Sequence, residues 1–194
     1  MQLRYLKVIV PVLLVLAMAA CAKPPQADID AARAAVANAA KNADVVAYAP
    51  DTLKSAQDKL AQMDTELTAK HYDKVKAIAL DARATAETAV NDAARNKEKA
   101  QADAATLIEA LKKAMPEASK KIAAAKRVRG IKLDFNALGQ QMAAAKNAIS
   151  DAEKDLAAGD YASALQKASG VQAQMNDGEK AVSDAVQAAT SRKK

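Results

Sequence analysis

Alanine recurs at three- and four-residue intervals through most of this chain, and that spacing commits it to helices packed against helices. About a quarter of the 194 residues are alanine, the best helix former, and much of the remainder is Lys, Glu, Gln and Leu. Leu53, Ala56, Leu60, Met63 and Leu67 form a narrow apolar stripe of the kind a helix–helix seam uses. Few runs of Val, Ile or Thr alternate with polar residues, so no strand is predicted. Small seam residues let backbones approach closely, yet each buries little, at roughly 25 cal/mol per Å2 of apolar surface. The expected fold is all-α: elongated antiparallel helical hairpins or a bundle with coiled-coil-like seams. Between Ala79 and Ala105 the apolar face is nearly all alanine, with Val90 the exception, which predicts a slender stretch of modest stability. Leu107, Ile108, Leu111, Met115 and Phe135 promise a denser cluster further on.

Cap and breaker residues divide the chain. A first helix is expected from Asp28 to Val46, ending before Ala49-Pro50, and a second from Asp51 to Lys70. A tight turn at His71-Tyr72 leads to a long third helix that ends or kinks at Met115-Pro116. A short basic helix then stops at Gly130. Asp134 caps a fifth helix running to Ala158, and Gly159-Asp160 turns into a sixth that reaches Thr190. In these terms residues 28–115 are an Ala-rich three-helix unit, 116–133 a basic connecting helix, 134–190 a second hairpin and 191–194 a basic tail.

The stripe of the second helix returns 89 residues later as Met142, Ala145, Ile149, Ala152 and Leu156. The register continues into the turn and beyond it, Tyr72 matching Tyr161, Val75 matching Ala164 and Ala79 matching Ala168. Two explanations stay open: two copies of one hairpin, or the resemblance any two Ala-rich amphipathic helices would show. Residues 159–168 also resemble the second helix of a tetratricopeptide repeat. That family repeats about every 34 residues, whereas the spacing here implies longer hairpins and no peptide-binding solenoid.

The start of the chain has the layout of an export signal: Arg4 and Lys7, an apolar run from Val8 to Met18, then Ala19-Ala20. The run is short of the ~20 residues a bilayer-crossing helix needs. Leu16-Ala17-Met18-Ala19-Ala20-Cys21 resembles the lipobox of bacterial lipoproteins, with Met18 where leucine is more usual. Plain secretion and a retained membrane helix are the lesser alternatives. The resemblance implies removal of residues 1–20 and a covalent lipid, including palmitate-type acyl chains, on Cys21. Two or three such chains anchor stably where one does not. Ala22 in place of an inner-membrane-retaining Asp implies the periplasmic face of the outer membrane. Residues 21–27, with Pro24-Pro25, then read as a stiff tether. Without Arg4 and Lys7 the mature chain has 27 basic against 23 acidic residues, net +4, which is no nucleic-acid footprint. Cys21 is the single cysteine, so no disulfide framework is available.

The alanines from Ala31 to Ala47, the step Ala49-Pro50-Asp51-Thr52-Leu53, and Lys70-His71-Tyr72 followed by Ala77 and Ala79 resemble the domain of unknown function 4398 family. The resemblance covers about residues 27–105, with a weaker echo in 134–190. It implies a helical lipoprotein of the bacterial envelope, sometimes found beside peptidoglycan-binding domains, and it implies no activity.

No catalytic constellation is legible. His71 is the only histidine and lies in a turn, without a nearby cluster of ligand-spaced His, Cys or carboxylates. No Gly-rich phosphate loop or nucleophile elbow is present. No enzyme activity, metal or dissociable cofactor is expected. Two basic features remain. Lys120, Lys121, Lys126, Arg127 and Arg129 crowd a segment opposed by Glu117 alone, and read either as a solvated connection or as a contact for anionic lipid or cell-wall polymer. The ending Ser191-Arg192-Lys193-Lys194 is similar to that of Braun-type lipoproteins, in which the C-terminal lysine is joined to peptidoglycan; a frayed tail is the plainer reading of Lys194. The expected function is therefore a non-enzymatic structural or adaptor lipoprotein whose partners are the outer membrane and other envelope proteins. The alternative is a tether or binder of peptidoglycan or anionic glycolipid.

Overall fold

A computed structural model describes residues 23–191. The expectations for the signal, for Cys21 and for Lys194 lie outside these residues. The described chain is all-α, with α1 (Gln26–Lys41), α2 (Ala43–Tyr48), α3 (Pro50–Thr68), α4 (Tyr72–Ala125), α5 (Phe135–Ala158) and α6 (Tyr161–Ser191), and it contains no strand. It divides into two compact units, residues 1–94 and 95–194, within the span of α4.

In the first unit, α1, α3 and the first part of α4 pack together. Ile29 and Ala32 of α1 meet Met63 of α3 and Val75, Ala79 and Ala82 of α4 in one cluster. Val36, Ala39, Val45, Leu53, Ala56 and Ala89 belong to a second. The expected single helix 28–46 is instead two helices. Asn42 interrupts it because its side-chain oxygen accepts from the backbone N–H of Asp44 at 2.9 Å and of Val45 at 3.4 Å, an N-cap that starts α2. Pro50 opens α3 at its first turn, where a missing N–H costs nothing.

In the second unit, the later part of α4 packs with α5 and α6. Ile108, Leu111 and Ala118 of α4 cluster with Ile149 of α5 and with Val171 and Met175 of α6. Of the end or kink expected at Met115-Pro116, the end does not occur, and Pro116 lies inside α4. An interior proline costs about 3 kcal/mol. Here Leu111 on one side and Ala118 on the other are 4% and 5% exposed in the same cluster, so burial holds the helix across it. The supposed connecting helix 116–133 is thus the end of α4 followed by an irregular segment turning at Gly130 (φ 84°). The division between the two compact units, at 94/95, falls within a continuous helix that offers the sequence no linker to mark it. Asp134 caps α5 as anticipated, accepting from Asn136 N–H at 3.0 Å and Ala137 N–H at 2.9 Å.

The two units follow one plan at a constant offset of 89 residues. Ala56 and Ala145, Met63 and Ala152, Val75 and Ala164, Ala79 and Ala168, Ala82 and Val171, Ala93 and Val182 are all buried pairs. The turns agree in their hydrogen bonds. His71 N–H donates to Glu66 O at 3.0 Å, and Asp160 N–H to Asp155 O at 2.9 Å. Lys70 N–H donates to Leu67 O at 3.0 Å, and Gly159 N–H to Leu156 O at 3.2 Å. Both turns need a left-handed residue, which is Gly159 (φ 83°) in one and Lys70 (φ 60°) in the other. Lys70 is the only non-glycine with positive φ among the described residues. Shared burial could follow from any amphipathic pair, but a shared left-handed position with matching bonds favours two copies.

Candidate functional site

Two places concentrate polar chemistry, and the first is the pair of matching turns. Glu66 and Asp155 occupy the same position in the two copies, each side chain 22% exposed. The carboxylate of Glu66 lies 2.6 Å from His71 Nδ1 and 3.5 Å from Lys74 Nζ. Asp155 accepts from Ser163 Oγ and from Lys167 Nζ, each at 2.6 Å. Each acid ties the last turn of one helix to the first turns of the next. Lys70, four residues after Glu66, has left the helix for the left-handed turn, and Glu66 pairs beyond it. The hydrogen bond from His71 holds the Glu66 carboxyl below its ordinary pKa. Lys167, and then Ser163, do the same for Asp155.

A folded-state pKa depressed below the unfolded one contributes stability that is present above the ordinary carboxylate range and lost as pH falls through the folded value. Stability is therefore expected to decline as pH drops below about 4.5. In a Glu66→Gln, Asp155→Asn double variant the decline between pH 7 and pH 3 should be shallower, read as the change in urea midpoint. An equal decline in both proteins would remove these carboxylates as its source.

The second place is the end of the second unit, where α4 stops and α5 begins. Ala125, Leu138 and Val182 form its buried centre, with Ile131, Leu133 and Phe135 packed against them. Of the basic residues singled out in the sequence, Lys120 pairs with Glu117 at 2.7 Å and Lys121 with Glu179 of α6 at 2.9 Å. Their charges are locally balanced. Lys126, Arg127 and Arg129 are exposed on the irregular segment after α4, as is Lys132, and none of the four side chains has a hydrogen-bond or ion-pair partner among the described residues. The structure thus splits a group that the sequence presented as one. Glu109 and Glu117 each pair with the lysine three residues on, Lys112 at 3.4 Å and Lys120 at 2.7 Å, and Lys112 also sits 2.7 Å from Glu153 of α5.

Sequence reasoning missed a small cleft of about 40 Å3 in the second unit, its floor apolar with Ile122, Leu138, Met142 and Val182 and its open edge bordered by Lys121 and Glu179. Its origin is legible through the repeat. Ala118 stands where the first unit has Ile29, and Gly178 where it has Ala89.

His71 is bonded to Glu66 and belongs to no ligand cluster. Among the described residues no group of three His, Cys, Asp or Glu could hold a metal ion. Nor is any described helix long and apolar enough to cross a membrane.

The expected family resemblance can now be set against a direct match. Residues 27–105 match DUF4398, a domain of unknown function. The DUF4398 stretch takes in α1, α2 and α3 and runs along α4 past the boundary of the first unit. Its Ala49-Pro50-Asp51 step is the start of α3, and its Lys70-His71-Tyr72 step is the left-handed turn described above. The second unit, which repeats that turn, lies almost wholly outside the DUF4398 match. No curated protein and no solved structure matches the chain.

Proposed function

We propose that the protein is a lipid-anchored, non-enzymatic adaptor of the bacterial envelope, held by acyl chains on Cys21 at the periplasmic face of the outer membrane. The observation that carries this reading is the lipobox-like run Leu16 to Cys21, placed a few residues before the first helix. The adaptor role draws on the character of the two units. Every buried residue described is apolar, so the charged and hydrogen-bonding groups lie toward the outside, where another protein can read them. Two small-residue helical units give long, regular faces for such contacts. The second reading, a peptidoglycan or anionic glycolipid tether, is favoured by the unpaired cations at the end of the second unit.

Acylation is tested by treating cells expressing the full chain with globomycin, which blocks lipoprotein signal cleavage, while labelling with radioactive palmitate. A labelled precursor that retains residues 1–20 is the expected result. An unlabelled protein, or one whose processing ignores the inhibitor, would end the proposal. Crosslinking in living cells would then identify the partner of the helical faces.

A further inference from the structure

We infer that the α4–α5 end of the second unit is a docking site for an anionic phospholipid bilayer, formed by Lys126, Arg127, Arg129 and Lys132. This goes beyond the anchor and does not depend on acylation of Cys21; it deepens the second reading by naming the surface and the residues.

The repeat itself isolates these four residues. At the offset of 89, Lys126, Arg127, Arg129 and Lys132 replace Ala37, Asn38, Ala40 and Ala43 of the first unit. Two copies that agree in buried positions and in turn hydrogen bonds therefore differ here by three positive charges in seven residues, four in the second unit against Lys41 alone in the first. Helix packing does not require those charges, since the first unit packs without them. Their neighbours in sequence are already committed, Lys121 to an ion pair that joins α4 to α6 and Lys120 to one within α4. The nearest acid in sequence, Asp134, has one carboxylate oxygen committed to capping α5. A patch of exposed, unpaired cations sets up a local positive potential that attracts anionic surfaces at a range set by salt.

A lipid surface fits better than a glycan because of what lies between the charges. Val128, Ile131 and Leu133 alternate with the cations and are half-buried, so part of each apolar side chain faces outward. Cations that reach phosphates beside apolar groups suit the headgroup–acyl boundary. The end of α6 lies at the same place, since Val186 packs with Ile131 and Leu133 in one cluster.

The test uses residues 22–194, which contain every described helix and lack the acylated cysteine, so its outcome is independent of the anchor. Co-sedimentation is measured with vesicles of one-third phosphatidylglycerol in phosphatidylcholine and with phosphatidylcholine alone. Binding to the anionic vesicles is expected at about 0.05 M salt and should be largely lost at about 0.5 M, where the Debye length shrinks to a few Å. Changing Lys126, Arg127, Arg129 and Lys132 together to Gln should weaken it more than tenfold, each cation near such a surface being worth roughly fivefold. A control changes Lys23, Lys41, Lys76 and Lys146 to Gln, removing the same charge elsewhere, and should retain most of the affinity. Circular dichroism checks that both variants remain helical. Equal losses in the two variants would reduce the effect to net charge and overturn the site. Absence of binding to anionic vesicles would also overturn it, as would retention on purified sacculi without binding to vesicles.

Discussion

A Cys21→Ser protein exported with a plain secretory signal in place of residues 1–20, so that its signal is still removed, should leave the membrane fraction. Acyl chains bury their methylenes at roughly 0.8 kcal/mol each, so two chains make detachment negligible and their loss removes the anchor. Among the described residues no helix can replace it by spanning the bilayer. The cationic end of the second unit supplies at most a salt-sensitive contact. Fractionation in about 0.5 M salt, which suppresses such contacts, should therefore find wild type in the membrane pellet and the variant in the supernatant. A variant that still pellets at that salt would refute the anchor.

Met63→Ala should be the most damaging single truncation in the first unit, costing about 2–5 kcal/mol. Met63 is fully buried, in a cluster whose other buried members are Ile29, Val75 and three alanines, with Leu60, Leu67 and Ile78 packed against it. Half of the buried members are alanines, which cannot extend into the space a deleted side chain leaves, so part of the cavity persists and adds to the lost burial. Leu80→Ala provides the contrast. Leu80 is 49% exposed, and its loss should change stability by less than about 0.5 kcal/mol. Urea midpoints decide the matter, and similar values for the two variants would contradict the packing described here.

Much of this fold was legible because its determinants are local. Alanine spacing announced the helices, Asp134 the cap of α5, and Gly159-Asp160 the turn into α6. The offset of 89 residues was visible in the seam, but the strongest sign of duplication was not, because a lysine occupies the left-handed position in one copy. Nothing in the identity of Lys70 advertises positive φ. The continuity of α4 was illegible for a different reason. Proline opposes a helix locally, and only the packing of Ile108, Leu111 and Ala118 against α5 and α6 overrides it. The basic segment was visible as a group. Its division into paired and unpaired cations depends on Glu179, 58 residues from Lys121, which sequence proximity cannot reveal.

The apolar cleft beside Gly178 leaves the second unit room for a methyl group that it does not use. A Cβ built on Gly178 meets Leu138 alone, at 3.9 Å, which is ordinary contact. Glycine within a helix gives up more backbone freedom on folding than alanine, at about 0.5–1 kcal/mol. Gly178→Ala, restoring the residue that Ala89 supplies in the first unit, should therefore raise the urea midpoint.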